Sequence, residues 1–148
     1  MTERESLLQL WDESWNEGTW FASWSAALRD VTPAQAAWHP GAGRHSIWQL
    51  VHHVVFWRDV TLAMLAGRPR PDDAERERRN FEPPAVVTED AWDASRRTLE
   101  RSHEALRGAI ADESKPLDRL RYHVVHDANH LGQILYLRSM QGLPPIES

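Results

Sequence analysis

Apolar residues recur at helical intervals of three, four and seven along four long segments. The chain's prolines, at 33, 40, 69, 71, 83, 84, 116, 144 and 145, fall outside or between these segments. The first segment opens at Thr2, with Glu5 three residues on completing a capping box. It runs through Leu7, Trp11, Trp15, Phe21, Trp24 and Leu28, with a break expected near Gly18. Thr32-Pro33 starts a short helical turn, with Thr as N-cap and Pro in the first turn, and Trp38–Gly41 reads as a loop. The second segment starts near Ser46 and reaches Leu65 or Ala66, with Gly67 as its stop. Its apolar residues wrap most of the circumference, which predicts a helix buried on several sides. The third begins at the N-cap Thr88, carries Glu89 and Asp90 in its first turn, and ends around Asp112. Trp92, Leu99, Leu106 and Ile110 form its apolar stripe. The fourth spans about 118–141 and is closed by Gly142 and Pro144-Pro145. No run of alternating β-branched residues bounded by turns predicts a strand.

The pattern therefore predicts an all-α chain, a four-helix bundle forming a single domain over residues 1–148. The short third link implies antiparallel neighbours. The long connection at 68–87 can return along the bundle, which gives an up-down-down-up order. In that connection arginines interleave with acidic residues, so it reads as a solvated crossover and not as a phosphate-binding patch.

Composition narrows the function classes. A length of 148 residues suffices for a real core, and eight tryptophans enlarge it. A net charge of −5 gives no global attraction to nucleic acid. The absence of cysteine excludes disulfides, thiolate ligands and a cysteine nucleophile. The N-terminus lacks the basic and apolar regions of a secretion signal, and no apolar run approaches the ~18 residues of a membrane span. A soluble, cytoplasmic protein is expected.

The candidate chemistry lies in Tyr122–Arg138, YHVVHDANHLGQILYLR, which places His126 and His130 one turn apart on one helix face. Two imidazoles at that spacing can converge on one metal ion. A third ligand can come from His52 or His53, adjacent on the second segment and about 100° apart in projection, and spacing alone does not choose between them. His123, one turn before His126, is expected to pack or hydrogen bond, with a fourth-ligand role as the alternative. His103 sits on the apolar stripe of the third segment, and His39 and His45 read as loop or helix-start residues. Asp127, Asp59 and Gln49 are candidate partners for ligand N–H groups. Asp127, on the Val124–Leu131 side of its helix, is also a candidate general base. Gln133 is a second candidate for a catalytic role, and Trp57 for a pocket wall.

The stretch HSIWQLVHHVVFWRD, followed later by HDANHLGQILYLR, resembles the DinB/YfiT-like superfamily of four-helix-bundle proteins. The lead-in TPAQAAWHPGAGRHSIW and the AGRP after the second segment extend the resemblance over nearly the whole chain. It implies His53 as the third ligand, counting from the Ser46-Ile47 pair, and His126 and His130, followed by Gly132-Gln133-Ile134, as the other two. Asn129 departs from the family, many members of which carry an aromatic residue there. The metal implied is a divalent transition ion, zinc or nickel foremost, with iron and copper as alternatives. Three neutral imidazoles leave its charge uncompensated, which strengthens Lewis acidity and lowers the pKa of bound water to about 7.

Characterised relatives include thiol-S-transferases that use thiols such as bacillithiol, and a mycothiol-dependent maleylpyruvate isomerase. The resemblance thus implies a metal-dependent enzyme acting on a small molecule, with a low-molecular-weight thiol as cosubstrate, and a homodimer. Hydrolysis needs the same ligands and stays open. The alternatives are a stress-related metal- or ligand-binding bundle without turnover, and a structural dimeric bundle without metal.

Overall fold

The four long segments become the four long helices of a computed structural model that describes residues 1–146. Three shorter helices join them, and no strand occurs among the described residues. In chain order these are α1 (Glu3–Asn16), α2 (Trp24–Ala27), α3 (Pro33–Ala37), α4 (Ile47–Leu65), α5 (Asp73–Arg79), α6 (Glu89–Ala111) and α7 (Tyr122–Met140). The chain groups into two compact units. One holds Met1–Asp30 and the chain from Ala105 onward; the other is Val31–Glu104.

In the first unit, α1 starts where its capping box predicts. The Glu5 amide donates to Thr2 Oγ1 at 3.1 Å, and the Thr2 amide donates to Glu5 Oε2 at 2.7 Å. Leu7, Trp11 and Ser14 form its buried stripe. The helix ends just before Gly18, whose φ of +79° suits glycine alone among common residues. An added Cβ there would lie 3.1 Å from the Phe21 carbonyl oxygen, so the break is enforced twice over. After it Ser23 caps α2 through the Ala26 amide.

Helix α2 is tied to α7 by polar groups inside apolar surroundings. The Trp24 indole N–H donates to Asp127 Oδ2 at 3.0 Å, and both residues are fully buried. Arg138 donates to the carbonyls of Ala27 and Arg29 at 3.1 and 2.7 Å. Burial lowers the pKa of that guanidinium, and its carbonyl acceptors offset part of the cost of burying the charge. Arg4 holds the start of α1 to the end of α6 by donating to Ile110 O and Lys115 O. Helix α7 begins at Tyr122, later than the periodicity implies, because residues 118–121 form turns.

The second unit is organised around α4. Ser46 and Gln49 form its capping box, and Gly67 with φ +84° ends it. Its buried residues span most of the circumference, from Ile47 and Trp48 to Val60 and Thr61, as its composition predicts. Arg58 is fully buried and donates to Ser102 Oγ at 2.9 Å and Leu99 O at 3.3 Å, which joins α4 to α6. Trp48 packs on Trp92 with ring centroids 5.1 Å apart, and the Trp92 indole donates to Val31 O at 3.0 Å. Trp92 and Leu99 are fully buried in this unit, as are Leu106 and Ile110 in the other.

The connection at 68–87 has no buried residue, as expected of a solvated crossover, but it is not structureless. Asp72 caps α5 by accepting from the Glu75 amide at 2.8 Å, with Asp73 and Glu75 in the first turn of this short helix and Arg76, Arg78 and Arg79 in its last. Charge interleaving hid it, because a helix with no apolar stripe has no periodic signal.

Candidate metal centre

The buried face of α7 presents His123, Asp127, His130 and Ile134 in succession, with His126 half-buried beside them. His126 and His130 meet as their spacing requires, with rings edge to face and centroids 4.5 Å apart. Their Nε2 atoms are 3.1 Å apart. His130 Nδ1 lies 2.6 Å from Gln133 Oε1. An amide oxygen only accepts, so Nδ1 of His130 carries the proton and its Nε2 offers a lone pair.

Two imidazole lone pairs do not face each other at such a distance without a positive centre between them. A metal ion held by the same two nitrogens would be such a centre. The gap therefore fits either a proton or a metal ion.

His53 of α4 completes the group. It is 7% exposed, and one ring nitrogen from each of His53, His126 and His130 lies within 4.8 Å of the others. Among the described residues no carboxylate belongs to this cluster. The donor set, three imidazoles without an anionic ligand, suits a transition ion and not magnesium or calcium. Around His53, Asn80 Oδ1 lies 2.5 Å from Nδ1, and the Phe81 ring stacks on the imidazole at 3.9 Å and 9°. Trp57, one turn further along α4, meets the same ring edge-on at 6.5 Å.

His52 stands elsewhere and has other employment. Its Nδ1 is 2.7 Å from Glu82 O, and its Nε2 is 2.9 Å from Ser95 Oγ and 3.2 Å from the Trp48 indole nitrogen. Both nitrogens are engaged in holding the connection and α6 to α4. His123 lies outside the cluster, with its ring edge-on to His126 at 6.2 Å, and His103 is buried. His39 Nδ1 contacts Gly41 O at 2.8 Å, within its own loop. Asp127 is fully buried and accepts from Trp24, which makes it a latch within its own unit. Gln133 Oε1 contacts His130 at Nδ1, the ring nitrogen not offered to an ion. Gln49 completes the α4 capping box and donates to Phe81 O at 3.1 Å.

Asp59, proposed as a partner for a ligand, instead pairs with Arg79 at 3.2 Å. Desolvation raises its pKa, outweighing the attraction of Arg79 and Arg58. A carboxyl with a folded pKa above its unfolded value loses stabilisation as pH rises through that window. At neutral pH, Asp59→Asn is therefore expected to leave stability unchanged or raise it by less than about 1 kcal/mol, the side chain being half-exposed and screened. Urea denaturation at pH 7 measures this, and a clear loss of stability would show that the ion pair outweighs the desolvation.

Asn80 and Phe81 are the site residues that sequence reasoning missed. The available signal was slight: an asparagine directly after a short charged run, where a helix C-terminus leaves its cap.

An all-α chain with a buried three-histidine cluster defines a helical protein with a candidate transition-metal centre. The family profile of the DinB superfamily matches residues 17–134, a span that takes in His53, His126 and His130 and ends on Ile134 of the Gly-Gln-Ile tail. The chain belongs to the DinB superfamily. No curated protein and no solved structure matches it.

Proposed function

We propose that this protein is a metal-dependent enzyme that transfers a low-molecular-weight thiol to a small electrophilic substrate. The observation that carries the reading is the convergence of His53, His126 and His130 with no carboxylate among them. A divalent zinc or nickel ion held there would supply Lewis acidity and an attraction for anionic sulfur or oxygen. The chain's own part is to hold that charge unneutralised, which three neutral imidazoles do and an Asp or Glu ligand would not.

In the transfer, the sulfur of R–SH forms a bond to an electrophilic carbon. The thiol proton and the leaving group depart together as H–X, or the proton ends on the substrate when the step is an addition. No cysteine of the chain can compete for the electrophile or bind the ion, because there is none. The thiol must come from a cosubstrate. Gln133 keeps His130 oriented through its Nδ1.

The test starts from protein purified without a histidine tag, as isolated and after reconstitution with zinc or nickel. Inductively coupled plasma mass spectrometry is expected to find about one ion per chain. Loss of a monochlorobimane-type electrophile should then require both the ion and an added thiol such as bacillithiol. Absence of metal even after reconstitution would overturn the reading. Turnover that needs metal and water but no thiol would replace transfer with hydrolysis.

A further inference from the structure

The segment Asn80–Glu82 is gripped by α4 and its lead-in at every residue. Asn80 Oδ1 meets His53 Nδ1 at 2.5 Å. Phe81 is sandwiched between His45, at 3.8 Å and 2°, and His53, at 3.9 Å and 9°. Its carbonyl accepts from Gln49 Nε2 at 3.1 Å, and the Glu82 carbonyl lies 2.7 Å from His52 Nδ1. Phe81 has φ +54°, just past the end of α5, where chains ordinarily place glycine. A bulky residue in that conformation is strained, and such strain persists only where surrounding contacts over-determine it. Here two ring stacks and a backbone hydrogen bond do so.

We infer that Asn80 is the positioning residue for His53: it holds the proton on Nδ1, so that Nε2 is the nitrogen offered to the ion, while Phe81 fixes the plane of the ring. The inference rests on the metal-site reading for its functional meaning. Its chemistry is local. An imidazole without an acceptor at Nδ1 distributes its proton between both nitrogens, and the tautomer protonated at Nε2 has no lone pair there to give. Amide oxygen sits at Nδ1 of both His53 and His130. Two of the three ligands are thus set for Nε2 by neutral acceptors that add no negative charge to the site.

Two measurements test it, each on the full chain. In zinc-free protein, long-range ¹H–¹⁵N correlation spectra should show His53 in the Nδ1–H tautomer. Asn80→Ala should move it towards the Nε2–H form, and Asn80→Asp, which keeps an acceptor oxygen, should restore it. With zinc, chelator competition should show Asn80→Ala binding about 10–100-fold more weakly than wild type and Asn80→Asp close to wild type or tighter. Thermal melts of the zinc-free variants should match wild type, which separates positioning from folding. If Asn80→Ala fails to fold, the wild-type and Asn80→Asp spectra carry the tautomer test. Wild-type His53 in the Nε2–H form, or zinc affinity in Asn80→Ala within about twofold of wild type, would overturn the role of Asn80 alone. A wild type that takes up no zinc would overturn the metal reading, and with it the link from Asn80 to the ion.

Discussion

A His130→Ala variant is expected to lose its stoichiometric metal, with zinc affinity reduced by more than about 100-fold, beyond the range for losing an outer partner. His130 supplies the nitrogen that lies 3.1 Å from the His126 nitrogen, and it is one of the three residues of the cluster. Removing it leaves two imidazoles, and Gln133 loses the ring it orients. Stability carries the same signal. At zinc 100-fold above its dissociation constant, wild type should gain about 2.7 kcal/mol of stability, and the variant almost none. His52→Ala is the control. Both of its nitrogens serve Glu82, Ser95 and Trp48, so it should cost roughly 1–3 kcal/mol of stability yet keep the metal. Chelator competition and thermal melts with and without zinc read both variants. Metal lost in His52→Ala and kept in His130→Ala would place the site elsewhere.

The Trp92→Ala variant should be the most destabilised, by about 3–5 kcal/mol, a large share of the roughly 5–15 kcal/mol that holds a domain folded. Trp92 is fully buried in the second unit, packs against Trp48 at 5.1 Å, and donates its indole N–H to Val31 O. Truncation leaves a large cavity beside Trp48 and an acceptor at the start of α3 without its donor. Trp92→Phe keeps most of the ring and forfeits mainly the hydrogen bond, so it should cost about 1–3 kcal/mol. Urea denaturation of both variants orders them. Equal losses would mean that the indole N–H, and not the ring volume, holds this part of the core.

Much of the fold was legible because it is written locally. Thr2 with Glu5, Thr32 with Pro33, and Ser46 each start a helix where their side chains can satisfy the first free amides. Gly18 and Gly67 end helices where positive φ is needed. The α6 stripe of Trp92, Leu99, Leu106 and Ile110 is buried because those positions share one face. Helix α5 escaped notice since it buries nothing, and the expected start of α7 was early because turns at 118–121 carry similar residues. Asp127 shows a partial reading: its side of the helix implied burial, but its partner Trp24 lies far away in the chain.

The site divides along the same line. The sequence by itself determined that His126 and His130 share a helix face, because the α-helical repeat sets which residues lie one turn apart. It also determined that any ion here would have no thiolate ligand, and it brought two adjacent histidines onto one buried helix. Helical spacing left those two open, the family resemblance implied His53, and the tertiary structure brings His53 into the cluster. His53 and His52 differ by one step of rotation, and packing around α4 sends one to the cluster and the other to Ser95 and Glu82. It also decided that Asn80 and Phe81, from a charged and exposed connection, reach His53. Helical periodicity arises from contacts within about four residues, so it can be read along the chain. Which side chains meet across long separations depends on how whole helices pack, and no local pattern encodes that.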